Sequence, residues 1–483
     1  MGATRLEGRC EVIDKQEISE LARELSLDLH VVEKDYVLGW LLAGIAANPE
    51  LSENWVFKGG TCLKKCYFET YRFSEDLDFT VTEETQLDEV YLLQAFRQMA
   101  EWIYEQSGIE IPGEQIRFKL SVLEGGRYAE GRVYYVGPIM QKRNLARIKF
   151  DLTTKEKLVL PPQKRAVHHP YSDCPDDGIH VLSYCFEEVF AEKMRALAER
   201  ERPRDLYDVV HLYRHDEIQP DRGVVLKTLQ EKCAFKGIPV PTVESLQRED
   251  AKTKLAAEWE DMLAHQLPAL PDLEQFWNEI PNVFRWLYGE AEKPSLGSAP
   301  IIGSLDNAWQ PPAMVYAWRA AVPLESVRFA AANHLCVNLR YQDSWRLIEP
   351  YSLRCSMDRN LLLCAVKHDT GESRTYRVDR IQSVEVSRTP FTPRYLIELT
   401  PTGPLAAPPV HGLAVPRQSI SARPKGSAGR AAKAQIGPTY VIKCPSCGKQ
   451  FRRKTYDTTL PSHKNKKGFQ CFGGFGSLVK TEY

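Results

Sequence analysis

The sequence predicts a mixed α/β (α+β) block, then a small all-β domain, then a short module bearing cysteine and histidine. Three observations carry that order. Helical and strand periodicities interleave up to about residue 290, the pattern changes to short strands between Val327 and Leu399, and Cys444, Cys447, His463 and Cys471 form a spaced group near the end. With 483 residues, 43% hydrophobic and 26% charged, the composition excludes collagen-like, mucin-like and wholly disordered chains.

The elements follow in order. Met1–Glu20 is polar and of mixed charge, unlike a secretory leader. Leu29–Ala47 reads as a helix; its apolar run from Tyr36 is 12 residues, short of the roughly 20 that span a bilayer. A cytoplasmic protein without membrane contact is expected. Trp55–Phe57 is a short buried segment, and Phe79 and Val81 close a strand. Tyr91–Tyr104 is a helix, Arg132–Tyr135 and Ala146–Leu152 are strands, and Cys185–Glu199 is a helix. Further helices end with Leu273–Tyr288, and residues 291–312, rich in Pro, Gly and Ser, read as a linker. Short strands are then expected at Cys336–Tyr341, Leu361–Val366, Arg374–Val378, Val384–Val386 and Tyr395–Leu399, a small β-barrel or sandwich. Residues 401–438 hold seven Pro and five Gly with few large apolar residues, and are expected to be a flexible linker. The expected domains are thus 1–290, a linker 291–323, 324–400, a linker 401–438, and 439–483.

Charge is distributed unevenly. Residues 401–483 carry 14 Lys/Arg against Asp457 and Glu482, a balance of +12, so the rest of a chain of net charge −1 carries −13. A basic tail on an acidic body suits a polyanionic partner, or merely keeps the tail soluble. Most of the twelve cysteines stand singly among apolar residues, as Cys336 and Cys364 do, which reads as buried thiols in a reducing compartment.

The most informative stretch is Lys58-Gly59-Gly60-Thr61 followed by Arg72-Phe73-Ser74-Glu75-Asp76-Leu77-Asp78-Phe79. Two glycines allow close approach of backbone to a phosphate, and Thr61 is placed to open a helix. On a strand, Ser74, Asp76, Asp78 and Thr80 share one face while Phe73, Leu77, Phe79 and Val81 anchor the other. Two carboxylates on one face repel unless a cation joins them, and Mg²⁺ favours a few carboxylates together with substrate phosphates. The alternative is a solvated edge strand with incidental acids. Asp151, alternating with Ile148, Phe150 and Leu152, is a candidate third ligand.

In the helix Cys185–Glu199, Lys193 falls within the apolar face marked by Phe186, Val189, Phe190 and Leu197. It must snorkel, pair with a carboxylate or meet a ligand. After Pro203 comes Arg204-Asp205-Leu206-Tyr207-Asp208, with Asp205 and Asp208 on one face of a new helix. This is either a charge cluster at a helix start or a second half-site facing the first.

Together these motifs, in this order over about residues 30–285, resemble the AbiEii/AbiGii and MenT nucleotidyltransferase toxins. The resemblance implies a DNA-polymerase-β-like nucleotidyltransferase core followed by helices. It also implies action in type IV toxin–antitoxin and phage-abortive systems, where some members add nucleotides to the 3′ end of tRNA. It makes Asp76 and Asp78 Mg²⁺ ligands, Lys193 and Asp205 the essential second pair with Asp208 beside them at the nucleotide, and Lys58, Gly59, Gly60, Thr61 and Ser74 the triphosphate contacts. Nucleoside triphosphate (NTP) is then the substrate, and a cognate antitoxin a partner.

Residues 324–400 resemble a WYL domain, an Sm-like β-barrel that senses ligands or nucleic acid. Leu361-Leu362-Leu363 stands where that family has Trp-Tyr-Leu, so the signature aromatics are absent. Arg354, Arg377 and Arg380 match basic positions suited to a nucleotide or nucleic-acid ligand; the alternative is surface arginines on a structural barrel. Cys444-x₂-Cys447, His463 and Cys471 have donors and spacing suited to tetrahedral Zn²⁺. Lys449, Arg452, Arg453, Lys454, Lys464, Lys466 and Lys467 interleave with Phe451, Tyr456 and Phe469, a pattern suited to RNA or single-stranded nucleic acid; the alternative is a purely structural zinc button. The expected function is a Mg²⁺-dependent toxin or defence effector that moves NMP from NTP to RNA, with tRNA foremost. The competing expectation is an inactive regulator that binds nucleic acid through its C-terminal parts.

Overall fold

Seven strands build one mixed sheet, and apolar residues alternate with polar ones in the longer of them. The strands are β1 (Trp55–Lys58), β2 (Asp76–Val81), β3 (Arg117–Leu123), β4 (Gly126–Tyr135), β5 (Ala146–Thr153), β6 (Gln163–Ala166) and β7 (His180–Ser183). Their order is β3-β4-β5-β2-β1-β7-β6. Strands β2 and β5 pair in parallel, as do β1 and β7; the other neighbours are antiparallel. This computed structural model describes residues 13–123, 126–215, 218–300, 305–306, 324–399 and short stretches of 439–482.

One face of the sheet is apolar. Leu77 and Phe79 of β2 and Ile148 and Phe150 of β5 are fully buried there. Helices α1 (Lys15–Leu25), α2 (Leu29–Ala47), α3 (Pro49–Asn54) and α5 (Glu89–Ser107) belong to the same block, and Phe96 of α5 meets Phe150 and Phe118 edge-on. Asp28 and Asp88 accept the first amides of α2 and α5, which fixes where each helix begins. Between β1 and β2 lies α4 (Gly59–Cys62), which continues into a single π-helical turn, Leu63–Tyr67.

The helical part runs through α6 (Phe186–Arg200), α7 (Pro203–Arg214), α8 (Arg222–Lys236), α9 (Val243–Leu246), α10 (Glu249–Leu263), α11 (Leu273–Trp277) and α12 (Ile280–Leu287). The expected single helix Leu273–Tyr288 is thus two helices, restarting at Ile280 with Pro281 in the first turn. Among the described residues no helix is long and apolar enough to cross a membrane.

Strands β8 (Leu335–Tyr341), β9 (Ser344–Cys355), β10 (Leu361–Lys367), β11 (Ser373–Arg377) and β12 (Ile381–Pro390) form a five-stranded antiparallel sheet in the order β11-β10-β9-β8-β12. Two expectations are corrected here. Tyr395–Leu399 is not a strand; its amides go to separate places, Leu396 to the Gly297 carbonyl at 2.9 Å and Glu398 to the Tyr351 carbonyl at 2.8 Å, so it forms no ladder beyond an isolated bridge from Leu396 to Ser298. The region also opens with a helix, α13 (Leu324–Ala332). That helix is tied to the first block. Glu24 accepts the Leu324 amide at 2.9 Å, Ser26 meets Ser326 at 2.9 Å, Glu325 accepts from Thr70 at 2.9 Å, and Arg328 pairs with Glu69 at 3.2 Å.

The first α/β block and the five-stranded sheet lie in one compact unit, residues 1–411; residues 412–483 form a second. In the second unit, β13 (Thr439–Lys443), β14 (Gln450–Arg453) and β17 (Ser477–Glu482) make a sheet. There β15 (His463–Lys464) pairs with β16 (Gln470–Cys471), with His463 opposite Cys471. The expected linker 401–438 and Cys447 lie outside the described residues.

Candidate active site

Strand register assembles the polar face. Across β3-β4-β5-β2-β1, paired positions run Lys119, Glu130, Asp151, Asp78, Lys58. Three acids flanked by two lysines therefore stand in one row. Residues 58, 78 and 151 meet because a parallel pairing joins β2 to a strand some seventy residues later.

The row floors a cavity of about 540 Å³, lined by Lys58, Gly59, Gly60, Asp78, Asp151 and Lys193 among others. Gly59 has φ +81°, and a Cβ there would stand 2.3 Å from Asp78 Oδ2. Glycine is thus required both by the backbone and by the carboxylate beside it. Burial pushes the Asp78 carboxyl up to about 6; Lys58 opposes the rise and Asp151 adds to it. Burial likewise raises Asp76, with Lys149 opposing. Burial disfavours the Lys58 charge, but Glu156 and Asp78 outweigh it and raise its pKa. Lys58 Nζ sits 2.5 Å from Glu156 Oε2.

Opposite the row, α6 presents Lys193. Its Nζ lies 2.7 Å from Asp208 Oδ2 and 3.8 Å from Asp205 Oδ1, both on the first turns of α7. Asp205 also accepts from Arg200 at 2.9 Å. Asp208 is fully buried, held by two bonds from Arg72 and one from the Tyr71 hydroxyl. Burial would raise its carboxyl, yet Arg72 and Lys193 hold it well below the usual carboxylate range. Lys193 is therefore neither snorkelling nor free; it is aimed by two aspartates while its flank lines the cavity.

Other nominated residues fall elsewhere. The buried Thr61 hydroxyl donates to the Asp76 carbonyl at 2.5 Å, so it fastens α4 to β2 instead of facing the cavity. Asp208 likewise turns its oxygens on Arg72, Tyr71 and Lys193 and not on the cavity. Asp76 and Ser74 are half-buried and outside the cavity lining, although Asp76 shares the strand face of Asp78. Glu156 is a partner that local sequence does not single out, and Arg72 opens the motif without any local sign that it holds Asp208: they lie 98 and 136 positions from the residues they hold.

The donors fit a divalent cation in chemistry. They are hard carboxylate oxygens of Asp76 and Asp78 on one strand face, with Asp151 in register beside Asp78. The Asp151 carboxylate rests on Lys149 at 2.9 Å, and among the described residues no three acidic, His or Cys side chains are gathered into a ready metal site. In the five-stranded sheet, Arg354 is buried against Glu398 at 2.7 Å, Arg377 pairs with Asp379 at 2.6 Å, and Arg380 is exposed.

Residues 40–288, just over half of the chain, match the family described as nucleotidyl transferase AbiEii toxin of the type IV toxin–antitoxin system. The chain belongs to the AbiEii nucleotidyltransferase toxin family. It is therefore a nucleotidyltransferase, and its second match, a WYL domain over residues 323–386, coincides with α13 and the five-stranded sheet. Similar solved structures include MenT4, a nucleotidyltransferase toxin from Mycobacterium tuberculosis H37Rv. It has 18% identity and a TM-score of 0.38 over 57% of this chain and 90% of that one. JHP933 from Helicobacter pylori has 17% identity and a TM-score of 0.38 over 55% and 94%. No curated protein matches the chain.

Proposed function

We propose that this AbiEii-family chain transfers a nucleoside monophosphate from an NTP to an RNA acceptor, tRNA 3′ ends foremost, and that the reaction requires Mg²⁺. The observation that carries the reading is the row Lys58–Asp78–Asp151 facing Lys193 across one cavity. Asp76 and Asp78, with Asp151 swung from Lys149, would hold Mg²⁺, which when bound supplies charge neutralisation for the phosphates and activation of the attacking hydroxyl. Lys58, with the Gly59–Gly60 backbone, binds the triphosphate. Glu156 orients Lys58. Lys193 offsets charge that develops on the transferring phosphate, and Asp205 and Asp208 fix its ammonium. Arg72 and Thr61 act on this geometry from behind, through Asp208 and β2.

The acceptor reading is supported by the basic, aromatic-bearing tail. There, Cys444, Cys447, His463 and Cys471 would hold one Zn²⁺ as a folding element; Cys444 is buried and His463 stands opposite Cys471 in register. A toxin of this kind acts in the cytoplasm and is held in check by a cognate antitoxin. The test is purified full-length protein mixed with total RNA, Mg²⁺ and each labelled NTP in turn. Label should enter RNA, tRNA first, with one or two nucleotides preferred. Label entering protein alone, or no label in RNA with any NTP, overturns the acceptor assignment.

A further inference from the structure

A second row of residues lies beside the charged one, and the chemistry above leaves two of its members unused. Every other side chain of a strand faces the cavity side, so residues two further along occupy that face again. Cross-strand pairs there run Ser121 to Tyr128, Tyr128 to Thr153 and Thr153 to Thr80. All four carry a hydroxyl. Thr80 is occupied by the Tyr184 hydroxyl at 2.8 Å, and Thr153 accepts the Lys155 amide at 3.1 Å. Ser121 and Tyr128 line the cavity, and among the described residues neither hydroxyl has a hydrogen-bond partner.

We propose that Ser121 and Tyr128 bind the sugar hydroxyls of the incoming nucleoside triphosphate and select ribonucleotides over 2′-deoxyribonucleotides, an inference that rests on the NTP reading of this cavity. The spacing supports it. Two residues of strand separate the rows by about 7 Å, so a nucleotide with its phosphates on the charged row lays its sugar beside the hydroxyl row. The chemistry supports it too. A neutral hydroxyl both donates and accepts, as a 2′-hydroxyl does, whereas the charged row suits phosphate and metal. A 2′-deoxy substrate leaves a protein hydroxyl unpaired once water is expelled.

The test uses full-length protein and all four NTPs with their 2′-deoxy counterparts. Two quantities are read: kcat/KM for transfer to total tRNA, and nucleotide binding by equilibrium dialysis with Mg²⁺. The wild type should prefer ribonucleotides at least ~10-fold, the size expected when a hydrogen-bonding group is left unpaired. Tyr128→Phe with Ser121→Ala should bring both preferences close to unity, lowering the ribonucleotide values and leaving the 2′-deoxy values equal or higher, since the variant has no hydroxyl to strand. Tyr128→Phe keeps the ring, and matching melting curves establish that the fold survives. No sugar preference in the wild type, an unchanged preference in the variants, or an equal loss for both sugars overturns the inference. Failure of the wild type to transfer any nucleotide strikes instead at the transfer reading, and the dialysis ratios then still decide the sugar question.

Discussion

Arg72 grips Asp208 with a two-pronged, fully buried clamp, Nε to Oδ1 at 2.7 Å and Nη2 to Oδ2 at 2.8 Å. The clamp reaches from the segment ahead of β2 to the helix that aims Lys193, so it ties the two sides of the active site together. Gln266 steadies the same guanidinium at 3.0 Å. Removing Arg72 takes two charge-assisted bonds from the buried Asp208 and leaves Lys193 as its remaining cation, so Arg72→Ala should cost about 3 kcal/mol of stability, the lower end for a broken buried pair, and abolish transfer. Arg72→Lys keeps the charge but loses the fork, and should fall between the two. Thermal melts and transfer assays check this; a lysine variant equal to wild type in both would refute a geometric role.

Asp78→Asn and Asp76→Ala should each lower transfer by about 10²–10³-fold or more, the scale of removing a charge-stabilising group from a preorganised site, while the fold persists. Because burial disfavours the Asp78 charge, Asp78→Asn should melt no lower than wild type. Retained turnover in a folded double variant would take these carboxylates out of the mechanism.

Lys193→Ala should also end turnover. Asp208 still has Arg72 and Tyr71 after the change, so the protein should fold with a modest loss of stability. A variant that is unfolded, rather than inactive, would mark Lys193 as a structural cation instead.

How much of this was legible in the sequence varies with distance along the chain. The alternation of Asp76 and Asp78 against Leu77 and Phe79 is local, so the acidic face could be read directly, as could the apolar setting of Lys193. The place of Asp151 beside Asp78 depends on a long-range parallel pairing that no local pattern encodes. Lys119, Ser121 and Tyr128 carry no chemical motif of their own; Ile116, Phe118, Leu120 and Val122, alternating with polar residues, signal only that β3 is a strand. The Arg72 clamp had no local signal at all. Tyr395–Leu399 has β-forming residues but splits its amides between Gly297 and Tyr351, which no local pattern encodes, and Leu324–Ala332 shows its helix only in a short alanine run beside a strand-rich region.

The tail yields a separate expectation. Deleting residues 405–483 should raise the Michaelis constant for the RNA acceptor and flatten its salt dependence, since lysine and arginine contacts to phosphate release counterions. NTP binding and intrinsic turnover should change little, because tethering raises local concentration without shaping the chemistry. Freshly purified full-length protein should contain one Zn²⁺ per chain, read by metal analysis. Equal acceptor affinity and salt slope with and without the tail would make it a docking or structural element.

Glu24 predicts a pH effect. Burial, with Glu325 nearby, pushes its carboxyl up to about 7. A carboxyl raised in the folded state binds more protons there than in the unfolded chain. Its contribution is therefore present below pH ~4.5 and lost as pH rises through about 7. Partial exposure limits the effect to the order of 1 kcal/mol. Glu24→Gln should flatten the stability profile between those pH values, and an unchanged profile would dismiss the effect.

Helix α13 sits inside the WYL match yet spends its polar side chains on the transferase, through Glu325 with Thr70 and Arg328 with Glu69. Domains shuffled by recombination ordinarily meet across a replaceable seam; here the seam runs through one helix. A transferase cut at residue 290 would leave Thr70, Glu69 and Glu24 facing solvent along a raw edge, next to the segment that carries Arg72. Any chimera that exchanges the WYL part must therefore keep Leu324–Ala332 with the enzyme it grips. Heat should melt the two parts in a single step.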